Sequence, residues 1–198
     1  SIIGKNILVC STTLFIKNPN KKGFVSYHQD AKYIGLEPHN WVTAWVALTN
    51  SNENNGCMKM WPRSHLDIKD HNEKFDEGNL LTRGQTVENV PENEIKSIEL
   101  KAGQMSLHHP RIVHGSGINK SNDRRIGFVI QSYIGTNVKQ TLGKNSVQLA
   151  RGEDKYHYHE IINRTNSLMN KENILLKRKE NNYLQEIFYK GAKQKSSY

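Results

Sequence analysis

Two cysteines, Cys10 and Cys57, are all the chain contains, and they stand far apart with no paired spacing. That leaves no basis for a disulfide framework or a thiolate zinc site. No apolar run comes near the roughly 20 residues a membrane span needs. Lys5 and Asn6 break the first apolar stretch too early for a secretory signal. The chain therefore reads as cytoplasmic, with no membrane partner. The formal net charge of +9 raises the question of an anionic partner. Much of the excess, however, lies in the turn "NPNKKG" and in a C-terminal stretch where Lys and Arg mix with Glu, which describes a solvated helix face. No basic module interleaved with aromatics is present to stack bases, so nucleic acid is not an expected partner.

What is present is β-texture. The 198 residues suffice for one domain with a buried core. Runs rich in β-branched and aromatic residues at 12–17, 23–30, 41–49, 56–61, 94–100, 103–109 and 125–134 are separated by Asn, Gly and Pro clusters. That spacing predicts an all-β sandwich or barrel. The connection 63–94 is too long for a hairpin and should cross one mouth of the barrel. From about residue 158 apolar residues recur at helical spacing up to Gly191, predicting one or two C-terminal helices, with disorder after Lys193.

The stretch "VSYHQDAKYIGL" places His28 and Asp30 two positions apart at the end of an apolar run. Residues i and i+2 of a strand share a face, so both can approach one ion while Gln29 points away. A catalytic ion needs a third ligand, and His114 follows a later apolar run. Two His and one carboxylate on one face of an ion form the facial triad of non-haem Fe(II) oxygenases. Taken alone, H-x-D is more often a surface pair. Arg125, across the turn "GSGINKSNDR", is placed to reach back into the barrel and clamp a carboxylate with paired hydrogen bonds. Alternation sends Arg124 to the opposite face. His108 and His109 likewise face opposite ways and read as structural or supporting residues. His65 reads as a loop contact, and His157 with His159 lacks a carboxylate partner.

The string "HQD" with "TAW", "NGC" and then "KAGQMSLHHPRIVHGSGINKSNDRRIGF" resembles the phytanoyl-CoA dioxygenase family of Fe(II)- and 2-oxoglutarate-dependent oxygenases. The resemblance implies a mostly-β double-stranded β-helix (jelly roll, cupin-like) with C-terminal helices. Residues 1–157 would form the oxygenase core, without the N-terminal part usual in the family, and 158–198 a helical extension with a polar tail. It further implies His28, Asp30 and His114 as catalytic iron ligands and Arg125 as the residue binding the distal carboxylate of 2-oxoglutarate. Ser116 and Trp45 match positions lining the co-substrate pocket, although Trp45 reads equally as core and Ser116 as a turn residue. The implied activity uses Fe(II), 2-oxoglutarate and dioxygen to hydroxylate an unactivated C–H bond of a small organic molecule, releasing succinate and CO2, and the basic surface is compatible with an anionic or carrier-tethered substrate. Related halogenases have a small residue at the Asp30 position, so Asp30 favours hydroxylation. A non-catalytic small-molecule-binding barrel is the reading from a different class.

Overall fold

The computed structural model describes residues 2–163 and 170–192. Its central strand is Arg125–Gly135, paired along one edge with Trp41–Ala47 and along the other with Thr12–Lys17 and Ile7–Val9, all antiparallel. Met105–His108 extends this sheet beyond Trp41–Ala47, and Ser146–Arg151 followed by Glu160–Ile161 extends it beyond Ile7–Val9. A second sheet runs Val25–His28, His114–Ser116, Met58–Met60, Lys96–Ile98. One cavity is lined by Phe15, Trp45 and Val129 from the first sheet and by Val25, Met58 and His114 from the second. Two sheets, antiparallel except where Glu160–Ile161 joins Ser146–Arg151, flank this cavity and make the double-stranded β-helix that the motifs imply.

The sequence alone explains the long strands. In Trp41–Ala47 the positions Trp41, Thr43, Trp45 and Ala47 are buried at period two. Trp41, with Leu8, Leu36, Ile134, Val138 and Val147, forms an apolar cluster, and its indole N–H donates to the Leu36 carbonyl at 3.1 Å. Trp45, Ala47, Met58 and Val129 form a second cluster between the sheets. Gly127 makes the second possible: a Cβ there would lie 2.1 Å from Cζ2 of Trp45, so only glycine lets the indole lie against the central strand.

A bulge interrupts the pairing between Ile130 and Tyr133, where Gln131 and Ser132 face Thr43 alone. The Gln131 N–H turns to the Ser11 carbonyl at 2.9 Å, and the Gln131 carbonyl lies 2.9 Å from Oγ1 of Thr43. Bulges re-aim side chains. Gln131 here lines the cavity between the sheets.

Several short strands escape sequence reading, His114–Ser116 among them. Three residues carry no periodicity; this strand exists because it pairs with Val25–His28 on one side and Met58–Met60 on the other. The connection 63–94 contains a small ribbon, Asn72–Glu73 with Gln85–Thr86. Helix α1 is the single turn Ala31–Ile34, and α2 is Lys171–Tyr189, begun by the Asn170 side chain accepting from Asn173 N–H at 2.8 Å and seated by buried Ile187. The expected disorder after Lys193 lies outside the described residues. No helix among the described residues is long and apolar enough to cross a membrane.

Candidate metal centre

His28 ends its strand directly opposite His114 in the ladder, which brings the two rings to 4.3 Å between centroids. Asp30 arrives by a different route from the one its spacing suggested. The strand stops at His28, and Asp30 sits in αR geometry (φ −56°, ψ −41°) as the residue opening α1. The turn, not strand alternation, swings its carboxylate back, so that Oδ1 lies 3.4 Å from Nε2 of His28. Gln29 does point away. It is fully buried, donates to the Asp67 carbonyl at 2.8 Å and accepts from the Lys69 N–H at 2.7 Å, tying the front of the 63–94 connection beneath the turn. The donor atoms of His28, Asp30 and His114 all lie within 4.8 Å of one another.

Each imidazole is oriented by its own strand. Nδ1 of His28 lies 2.9 Å from the Ser26 carbonyl, and Nδ1 of His114 lies 3.0 Å from that of Ile112. A carbonyl only accepts, so both Nδ1 atoms carry the proton and both Nε2 atoms present a lone pair. Burial, reinforced by His28, pushes His114 down to about 3, which keeps it neutral. Burial alone would raise Asp30, but His114, His28 and His108 around it outweigh burial and hold it below the usual carboxylate range. Oδ2 of Asp30 lies 3.1 Å from the Thr43 hydroxyl, whose single proton it shares with the Gln131 carbonyl. Lone pairs from two nitrogens and one charged oxygen thus converge. Donors bound at right angles to one ion at about 2.1 Å stand about 3 Å apart, so the set fits a divalent metal.

From these donors a narrow cavity of about 100 Å³ runs past Thr43 and Trp45 to Arg125 and Ser116. Arg125 is 3% exposed, donates through Nη2 to the Gly56 carbonyl at 3.0 Å, and has its guanidinium 5.2 Å from the Trp45 ring. Burial lowers it to about 10, which leaves it charged at neutral pH. Arg124 points outward to Asn18 at 2.9 Å. Directly across the ladder from Arg125 is Lys17, whose ammonium donates to Ser116 Oγ at 2.7 Å and to the Ser116 and Gly117 carbonyls. Burial, then the neighbouring Arg125, pushes Lys17 down to about 7. Neither cation has a carboxylate partner among the described residues.

The family model for phytanoyl-CoA dioxygenase (PhyH) matches residues 1–127. The chain belongs to the phytanoyl-CoA dioxygenase family. It is 30% identical over 128 residues to the peroxisomal phytanoyl-CoA dioxygenase of Homo sapiens, covering 62% of this chain and 38% of that protein. It is 28% identical over 144 residues to a probable alpha-ketoglutarate-dependent hypophosphite dioxygenase of Stutzerimonas stutzeri, covering 71% of this chain and 50% of that one. Among solved structures the non-heme monooxygenase ThoJ superposes with a TM-score of 0.81 at 30% identity, over 93% of this chain and 68% of ThoJ. The chain thus spans between 38% and about half of the curated phytanoyl-CoA dioxygenases it matches.

For a member of this family, sequence reading missed Thr43 and Gln131, which line the cavity, and Lys17, which donates to the cavity residue Ser116. Period two in "TTLFIK" would have put Thr13, Phe15 and Lys17 on one face, but an apolar run invites burying Leu14 and Ile16, which are in fact 55% and 40% exposed. His108 and His109 take opposite faces as alternation requires. His108 is buried beside His114, ring to ring at 4.8 Å, while His109 lies 5.6 Å from His65 outside the centre. His159 is held between Asn145 at 2.6 Å and the Val138 carbonyl at 2.7 Å, and Asn119 serves the turn, donating to the Lys17 and Asp123 carbonyls.

Proposed function

We propose that the chain carries the core, residues 1–157, of an Fe(II)- and 2-oxoglutarate-dependent dioxygenase that hydroxylates an unactivated C–H bond of a small organic molecule, releasing succinate and CO2. The observation that carries this reading is one narrow cavity with a metal-fitting donor set at one end and the buried guanidinium of Arg125, which lacks a carboxylate partner among the described residues, at the other. His28, Asp30 and His114 would hold Fe(II) on one face, leaving the other face for co-substrate and dioxygen. The ion, when bound, supplies the activation of dioxygen.

The remaining work falls to the chain. Arg125 offers the distal carboxylate of 2-oxoglutarate a charged fork held rigid by Trp45 and the Gly56 carbonyl. Lys17 fixes Ser116 beside it. Thr43 keeps the Asp30 carboxylate turned toward the imidazoles. A wider cleft of about 360 Å³ opens on His28 and Asp30 from the other side, walled by Leu80 and Leu81 of the 63–94 connection and by Asn181, Leu184 and Phe188 of α2. This cleft is where the substrate would enter, and Lys177 at its rim supports an anionic or carrier-tethered one. Asp30 fills the coordination place that a halide would need, which argues against halogenation.

The test is succinate formation by the protein supplied with Fe(II), 2-oxoglutarate and dioxygen, with a metabolite extract screened for products heavier by one oxygen. Turnover should vanish in His28→Ala, Asp30→Ala and His114→Ala. Equal iron binding by the unmodified protein and a His28→Ala, His114→Ala double variant would remove the basis of this reading.

A further inference from the structure

Three buried nitrogens of residues lining the narrow cavity have no hydrogen-bond partner in the protein: Nε of Arg125 and both ring nitrogens of His108, which is 6% exposed. A buried donor without a partner is costly, and one that persists in a cavity wall points to a ligand.

The two unpartnered groups stand at opposite ends. His108 is opposite Thr43 in the ladder, and Thr43 holds Asp30, so His108 is level with the metal donors. Arg125 lies beyond Gly127, which pairs with Ala47, and Trp45 occupies the wall between. The cluster of metal-fitting donors comprises His28, Asp30 and His114 and does not extend to His108. His108 also lines the narrow cavity with Arg125 and Trp45, not the wider cleft walled by α2. An elongated ligand carrying an acceptor at each end meets both requirements, and the end beside the metal must accept from an imidazole N–H.

Resting on the function proposed above, we infer that His108 is a second anchor for 2-oxoglutarate: its ring N–H donates to the carboxylate of the 2-oxo acid end while Arg125 holds the distal carboxylate. A neutral imidazole has one N–H to give, and a carboxylate only accepts, so donor and acceptor match without any change of protonation.

The experiment is anaerobic calorimetric titration of the Ni(II)-loaded protein with 2-oxoglutarate and with 4-methyl-2-oxopentanoate, which has the 2-oxo acid end but no distal carboxylate. In His108→Phe both ligands should bind about tenfold more weakly or worse, as expected for loss of a hydrogen bond to a charged group. Arg125→Ala should weaken 2-oxoglutarate alone. His108→Gln, which keeps a donor, should recover part of the loss, and nickel affinity should be the same in all variants. The charge-transfer band of the anaerobic Fe(II) and 2-oxoglutarate complex should move in His108→Phe, because the hydrogen-bonded end is the one beside the metal. If the unmodified protein binds 2-oxoglutarate and His108→Phe binds both ligands equally well, this inference fails and the proposed function stands. If His108→Phe loses nickel in parallel, the role is structural and the inference fails. Failure of the unmodified protein to bind 2-oxoglutarate overturns both.

Discussion

Arg125 and Lys17 face each other across one ladder rung, two cations 3% exposed each, and no carboxylate among the described residues neutralises either. Carbonyl and hydroxyl oxygens solvate them instead, which lowers the cost of burial without cancelling the charge. A carboxylate entering this end therefore meets the full charge of Arg125, joined by that of Lys17 where Lys17 is protonated, in a medium that screens charge little. The planar fork of Arg125 adds paired hydrogen bonds that an ammonium cannot copy. Arg125→Ala should accordingly raise the apparent KM for 2-oxoglutarate by an order of magnitude or more, since hydrogen bonds to charged groups contribute about 1.5–3 kcal/mol each. Arg125→Lys should do so partially, and the outward Arg124→Ala not at all. Succinate formation measured against 2-oxoglutarate concentration checks this; sensitivity at Arg124 with silence at Arg125 would contradict the register observed here.

At the level of elements, the 63–94 connection and α2 act together. Arg83, in the connection, donates through Nε to Glu73 Oε1 at 2.7 Å and through Nη1 to the Lys190 carbonyl at the end of α2 at 3.0 Å, and its guanidinium lies 5.0 Å from the Tyr33 ring of α1. The Arg83 and Glu73 side chains are only 10% and 9% exposed. This single cation joins both walls of the wide cleft and the turn that carries Asp30. Removing one partner strands the other charge inside the protein, so Arg83→Ala should cost about 3–5 kcal/mol and lower Tm by about 10 °C. Replacing Arg83 and Glu73 together by Met should recover most of that loss, because no buried charge is then left alone. Thermal unfolding followed by circular dichroism decides the matter, and an Arg83→Ala variant melting with the unmodified protein would show that the two walls are held by other contacts.

For the molecule as a whole, the metal donors link the sheets. His28 and His114 belong to the smaller sheet, while Asp30 leans on Thr43 of the larger one. A divalent ion bound there closes a contact between sheets that only the native state can offer, so binding must stabilise folding by mass action. At a metal concentration about 100 times Kd the gain is about 2.7 kcal/mol, or about 5–10 °C in Tm for a domain of this size. Scanning calorimetry with and without Ni(II) under nitrogen should show that rise in the unmodified protein and none in the His28→Ala, His114→Ala double variant. A rise in both would place the metal elsewhere.

The sequence by itself determined the mostly-β class and the long strands, because period-two patterning over seven or more residues is a local signal with a physical cause in the pleat; alternation put Arg124 and Arg125 on opposite faces, and the family resemblance chose Arg125. The motifs around "HQD" and "HGSG" were equally legible as a family resemblance. Tertiary structure alone decided the rest. Asp30 reaches the centre from a helical turn, not a strand, since the chain bends after His28 to bury Gln29 against the distant 63–94 connection. The strand His114–Ser116 exists through partners on both sides. Lys17 is buried against Ser116, His108 lines the cavity, and α2 walls the cleft, for reasons no local pattern carries. A polar side chain is tolerated inside only where distant segments, or a ligand, satisfy it, and that condition is written in contacts between remote parts of the chain, not in the spacing of neighbours.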